Sequence, residues 1–202
     1  MLIQVVFHLL DNQEDIRYQV YDFGEGIMRF REMIRDIPDF PKKGILFRDI
    51  TPLLANGLLY QQSIQTLAEF CNQCQAQMVV GPEARGYVIG APLAVVTGCG
   101  FAPVRKKGKL PYKTRSASYA LEYGEDTLEI HEDAIMQGQR VLVADDLLAT
   151  GGTMSATIDL VQQLGGIVVG AAFLIELKEL GGRQVLLDKI PQLPIQTLVQ
   201  YD

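Results

Sequence analysis

Histidine and cysteine are scarce in this chain, and positive charge is in the minority. Only two histidines and three cysteines occur in 202 residues, and 24 Asp and Glu outnumber 18 Lys and Arg, for a formal net charge of -6. Neither His8 nor His131 lies beside a recognisable nucleophile motif, so no histidine dyad or serine triad is on offer. Cys71, Cys74 and Cys99 are too few, and odd in number, for a disulfide framework. Cys71 and Cys74 form a CxxC, but no second ligand pair with zinc spacing accompanies it, and it falls in the helical apolar pattern Leu67, Phe70, Cys71, Cys74, which points to core packing. The apolar stretch Leu2 to Leu10 is far short of the ~20 residues that span a bilayer, and it has neither a positive leader nor a small-residue cleavage site. The acidic balance argues against an overall footprint for nucleic acid or an anionic membrane. These absences lead us to expect a cytoplasmic protein with no nucleic-acid or membrane partner.

What is present is apolar and periodic. At 48% hydrophobic, the chain can bury a sizeable core as one domain. Met28 reads as a natural start, so we expect an N-terminal extension of unknown role over 1–27 and the main domain over 28–202. Apolar runs alternate with helix-period segments after residue 55, the signature of a mostly parallel sheet covered by helices. The expected helices are Leu58 to Gln75, Gly86 to Thr97 and Thr153 to Leu164. The expected strands are Met78 to Val80, Phe101 to Val104, Val141 to Ala144 and Ile167 to Ile175, with a last apolar run at Ile195 to Val199. Ser116 to Glu122 and Thr127 to Ile130 alternate like a hairpin turning near Tyr123 and Gly124.

The most specific string is VLVADDLLATGGTM at 141–154. A short apolar strand leads into Asp145 and Asp146, and Ala149, Thr150, Gly151, Gly152 and Thr153 then open a helix. In an open α/β sheet, the crevice beyond the strand carboxyl ends collects ligands, and helix amino-terminal N–H groups attract anions. Glycines let the backbone close around a phosphate, and the two threonines add hydroxyl donors. Two carboxylates would repel that phosphate, so their partner must differ. Vicinal ribose hydroxyls can donate to them, with magnesium offsetting the surrounding negative charge. The motif thus reads a ribose 5-phosphate. Taken alone, TGGT is equally an ordinary strand-to-helix turn with Thr150 or Thr153 as a cap. It is neither a Walker A loop nor a dinucleotide fingerprint.

The whole string resembles the phosphoribosyltransferase signature. Three further segments, PDFPKKGILFRDITPLL at 38–54, GPEARGYVIGAPLA at 81–94 and VRKKGKLPYKTRSASYALEYG at 104–124, are similar to the adenine branch of that family, in the expected order. The resemblance implies an α/β type I phosphoribosyltransferase fold with a small hood and a flexible β-hairpin flap. It implies adenine and 5-phosphoribosyl diphosphate (PRPP) as substrates, AMP and diphosphate as products, magnesium as cofactor and a homodimer. It sets the backbone of Leu46 and the side chain of Arg48 near adenine, Phe47 stacked on the ring, and Leu177 closing the far side. Glu83, Ala84 and Arg85 fall at the diphosphate loop, where Arg85 can donate two parallel hydrogen bonds. Relatives bend this loop through a non-proline cis peptide, so one is expected between Glu83 and Ala84, although Pro82 replaces the aliphatic residue common there. Arg105, Lys106 and Lys109 would close on the diphosphate from the flap.

The implied reaction moves ribose from diphosphate to a purine nitrogen through a cationic sugar. Arg85, Arg105 and Lys109 would stabilise the leaving group, with magnesium bound mainly through PRPP rather than by direct protein ligands, while Asp145 and Asp146 hold the ribose. Glu122, in the LEYG match, is the candidate general acid or base. The basic cluster from Arg105 to Arg115 could instead be a nucleic-acid patch or a solvated loop, but interleaved aromatics for base stacking are missing. Two other functions stay open: transfer to hypoxanthine, guanine or xanthine, and a regulator that senses PRPP without turning it over.

Overall fold

The computed structural model describes residues 30–121 and 124–202. The expected extension over 1–27 and the candidate Glu122 lie outside the described residues. A short antiparallel ribbon comes first, β1 (Arg35–Pro38) against β2 (Leu46–Asp49). Helices α1 (Thr51–Ala55) and α2 (Gly57–Gln73) follow, and Asn56 caps the second by accepting from the Leu59 N–H at 3.1 Å. The chain continues as β3 (Met78–Pro82), α3 (Gly86–Thr97), β4 (Gly100–Lys106), β5 (Thr114–Leu121), β6 (Gly124–His131), β7 (Arg140–Leu148), α4 (Gly152–Gln163), β8 (Ile167–Leu177), α5 (Gly182–Lys189) and β9 (Ile195–Tyr201).

The main sheet has seven strands in the order β5-β6-β4-β3-β7-β8-β9. From β4 to β9 the neighbours run parallel, while β6 joins β4 and β5 joins β6 antiparallel. The parallel strands are apolar along their middles, as in Val79 to Val80, Val141 to Ala144 and Ala171 to Ile175, because both faces are covered there. Along β7, Leu142 and Ala144 enter the core under α2 and α3, whereas Val141 and Val143 enter the core under α4 with Met154, Ile158 and Val161. That alternation is the period of two that a strand imposes. The mostly parallel α/β architecture expected from the sequence is therefore present.

Several boundaries differ from expectation. The strand expected to end at Ala144 runs on to Leu148, because β8 pairs with it through Asp145 and Leu147 to Leu148. The two aspartates are thus strand residues. The β1–β2 ribbon, α1 and α5 were not anticipated: each of these elements is short, so few periods of patterning announce them.

The sheet reverses its winding at one place. The chain leaves β3 to build β4, β6 and β5 on one side, then crosses to β7 on the other and continues outward to β9. The carboxyl ends of β3 and β7 therefore flank a crevice, the usual ligand position in such sheets.

Candidate active site

The crevice is occupied by the loops that the two strands feed. From β3 come Glu83, Ala84 and Arg85, leading into α3; from β7 come Asp145, Asp146 and the turn 149–151, leading into α4. Arg85 and the continuous run Asp145 to Met154 line one cavity of about 180 Å³. That is smaller than the roughly 300–1,000 Å³ of a complete small-molecule pocket, so it holds one end of a ligand and leaves the rest outside.

Gly151 makes the turn. Its φ of 82° is left-handed, and a Cβ there would lie 2.9 Å from the Gly182 carbonyl oxygen. Among the described residues, no turn or cap hydrogen bond takes a proton from the amides of Thr150, Gly151, Gly152 or Thr153. The first turn of any α-helix leaves such amides without an intrahelical acceptor. These residues line the cavity, where such amides and the helix dipole can favour an anion.

The acidic pair lies at the mouth of the same cavity. Asp146 is buried, and its Oδ2 stands 3.1 Å from Arg85 Nε; its N–H donates to Asp145 Oδ1 at 2.8 Å. Burial, and next the neighbouring Asp146 charge, push the Asp145 carboxyl well above the ordinary carboxylate range. Burial raises Asp146 as well, against the lowering pull of Arg85. Two adjacent buried carboxyls are a costly arrangement, and hydroxyl donors can satisfy them.

The Glu83–Ala84 peptide is cis, as expected from the resemblance. The carboxylate of Glu83 is engaged on the β4 side of the loop. It accepts from Arg105 Nε and from the Lys106 N–H, each at 2.8 Å. Burial would raise this carboxyl, but those two donors outweigh it and hold it below the usual range. Arg105 also reaches the Lys109 carbonyl at 3.2 Å, and the Lys106 ammonium is drawn to Asp126 at 3.1 Å. Arg105, Lys106 and Lys109 thus form a cluster on the β4 side of the loop, next to the cavity but not lining it.

The hood residues divide by strand alternation. Phe47 sits on the cavity side, with the Arg85 guanidinium 5.3 Å from its ring centre and Phe40 edge-on at 5.2 Å. Arg48 points the opposite way. It pairs with Asp36, and its guanidinium lies 3.7 Å over the ring of Tyr201. Tyr201 in turn faces Leu177 across the β8–β9 ladder. Leu46 is exposed on the ribbon. Tyr201 was missed by sequence reasoning, since nothing in the terminal run marks a partner 153 positions away.

The fold and this cleft together define a transferase that handles a phosphorylated sugar, and the phosphoribosyl transferase domain model matches residues 53–190. The adenine phosphoribosyltransferase of Brevibacillus brevis is 59% identical over 174 residues, 86% of this chain and 100% of that protein. A crystal structure of the enzyme from Thermoanaerobacter pseudethanolicus superposes with a TM-score of 0.82 at 50% identity, covering 87% of this chain and 99% of that one. The Saccharomyces cerevisiae enzyme, solved with D-2,5-dideoxy-2,5-imino-altritol 1,6-bisphosphate and adenine, gives a TM-score of 0.81 at 36% identity, with 87% and 99% covered. The chain belongs to the adenine phosphoribosyltransferase family.

Proposed function

We infer that this chain converts adenine and PRPP into AMP and diphosphate, a purine salvage reaction. The observation that carries this reading is the convergence of unbonded amides, an acidic pair and Arg85 on one cavity at the sheet's reversal point. In this reading, the amides from Thr150 to Thr153, with the two threonine hydroxyls, take the 5-phosphate. Asp145 and Asp146 accept from the ribose diol and stabilise positive charge on the sugar as the bond to diphosphate breaks.

Arg85 neutralises the leaving diphosphate, joined by the backbone of Glu83 and Ala84 and by Arg105, Lys106 and Lys109 from the flap. Adenine lies under the hood, stacked on Phe47 beside the Leu46 backbone, with Leu177 across from it and Arg48 held at the edge by Tyr201. Glu122 moves the proton at the purine ring. Among the described residues no cluster of three or more His, Cys, Asp or Glu could cage a metal, and the donor set of two crowded aspartates suits a magnesium ion carried by the substrate. Magnesium supplies charge neutralisation on the diphosphate.

The catalytic unit in this proposal spans 28–202, with 1–27 as an extension, and it acts as a cytoplasmic homodimer, as the family likeness suggests. The test of the central reading is direct. Purified protein is incubated with magnesium, PRPP and each purine in turn, and nucleotide formation is followed. AMP from adenine is the expected outcome; nucleotide only from hypoxanthine, guanine or xanthine, or none at all, overturns it.

A further inference from the structure

An ion pair between a buried Glu176 and a half-buried Arg183 lies behind the 149–151 turn and takes no part in the roles above. Glu176, near the end of β8, is 2% exposed. Arg183, in the first turn of α5, donates to it from Nε at 2.7 Å and from Nη2 at 2.6 Å. Thr197 Oγ1 and Gln200 Nε2, both on β9, donate to the same carboxylate at 3.1 Å each. Four hydrogen bonds satisfy the carboxylate, and the remaining Arg183 nitrogen reaches the Ile195 carbonyl at 3.3 Å. Desolvating the carboxylate is costly, and such a pair is weak support for stability as such, whereas its forked hydrogen bonds hold the two elements in one geometry.

That geometry closes a ring around the loop. Glu176 sits opposite Leu148 in the β7–β8 ladder, and Leu148 immediately precedes the loop. Arg183 follows Gly182, whose N–H donates to the Ala149 carbonyl at 3.0 Å. The contact is closer than any side chain permits: a Cβ on Gly182 would overlap the Ala149 oxygen and lie 2.9 Å from the Gly151 nitrogen. The path from Leu148 to Ala149, across to Gly182, along to Arg183, through the ion pair to Glu176 and back across the ladder is continuous. The ion pair ties the start of α5 to β8, while buried Leu186 and the Lys189 contacts with Ser155 and Asp159 hold the rest of that helix.

We propose that Glu176 and Arg183 are positioning residues: they press Gly182 onto the 149–151 turn and so set the affinity for the sugar 5-phosphate. This rests on the reading of that turn as the 5-phosphate seat. Leu177 is held opposite Tyr201 by the backbone ladder of β8 and β9 and not by the Glu176–Arg183 contact, so the adenine side is expected to be spared.

The experiment measures KM for PRPP, KM for adenine and the dissociation constant of ribose 5-phosphate. The proteins compared are the full chain and its Glu176→Leu, Glu176→Gln, Arg183→Met and Gly182→Ala variants, each checked for folding by thermal melting. About a tenfold weakening for PRPP and ribose 5-phosphate is expected, with KM for adenine moving less than twofold. Glu176→Gln, which keeps an acceptor for Arg183, should lose less than Glu176→Leu. If Glu176→Leu and Arg183→Met do not fold, Glu176→Gln decides the matter, because it removes the charge and keeps the shape, while Gly182→Ala reports separately on whether the loop contact sets the affinity. Unchanged ribose 5-phosphate binding, or equal losses for both substrates, overturns the proposal. Ribose, which lacks the phosphate, separates the two levels: if the full chain binds ribose 5-phosphate better than ribose and the ion-pair variants keep that preference, only the positioning role is wrong, and if it binds both alike, the phosphate reading and the positioning role fall together.

Discussion

The guanidinium of Arg85 meets the buried carboxylate of Asp146, Nε to Oδ2 at 3.1 Å, so the residue assigned to the leaving diphosphate contacts the residue assigned to the ribose. In the proposed reading, substrate would bring a diphosphate to the same guanidinium and hydroxyl donors to the same carboxylate, exchanging one contact for two. Arg85→Ala is therefore expected to lower kcat/KM for PRPP by about 10²–10³-fold, a loss of about 3–4 kcal/mol in transition-state stabilisation. Arg85→Lys keeps the charge without the fork and should fall between. Steady-state rates with varied PRPP measure this, and a wild-type value for Arg85→Ala removes the residue from the mechanism.

Asp145 carries an electrostatic burden in the unliganded chain. Below the ordinary value of 3.8, the carboxyl is protonated in both folded and unfolded chains. Above it, the unfolded chain loses its proton first, while burial and the Asp146 charge keep the folded one protonated. The folded state then binds more protons, and stability falls as pH rises toward the folded value. Asp145→Asn lifts that penalty. Its melting temperature at neutral pH should rise, by about 2–4 °C for each kcal/mol relieved, while turnover drops. A lower melting temperature for the variant contradicts the assignment.

Proton transfer at the purine is assigned to Glu122. Replacing it with alanine should cut kcat by about 10²-fold, and the pH dependence of kcat should lose the limb that this carboxyl contributes. Equal turnover in the variant and the parent dismisses the role.

Tyr201 carries the Arg48 guanidinium on its ring at 3.7 Å, with Arg31 on the ring at 4.6 Å. Tyr201→Leu keeps bulk but removes the aromatic face. KM for adenine is expected to rise several-fold, about 1 kcal/mol for a lost cation–π contact, with KM for PRPP unchanged. Parallel changes in both constants argue that Tyr201 serves the fold alone.

The cavity's own lining was legible because its residues are contiguous. Asp145 to Thr153 form one string in which an apolar strand, two carboxylates and a glycine turn follow each other within a few bonds. Arg85 was legible through the family likeness of 81–94. The end of β7 was not, because a carboxylate normally closes an apolar run, and only the pairing of Asp145 with Phe173 and Leu148 with Glu176 keeps the backbone extended past the pair. Tyr201, Gly182 and Arg183 carry no local mark: each acts through a contact with a residue far along the chain, and no periodicity encodes such a contact.

The order of letters by itself determined the α/β class, the placement of the anion loop after a buried strand, and the likeness to the adenine phosphoribosyltransferases. These depend on local spacing, which covalent geometry converts directly into strands, turns and helix starts. Only the tertiary structure decided that the β3 and β7 loops share one cavity, that Arg85 reaches Asp146, that Arg48 rests on Tyr201, and that an ion pair between β8 and α5 stands behind the 149–151 turn. The reason is that packing of distant segments, driven by burial on both faces of the sheet, brings those groups together.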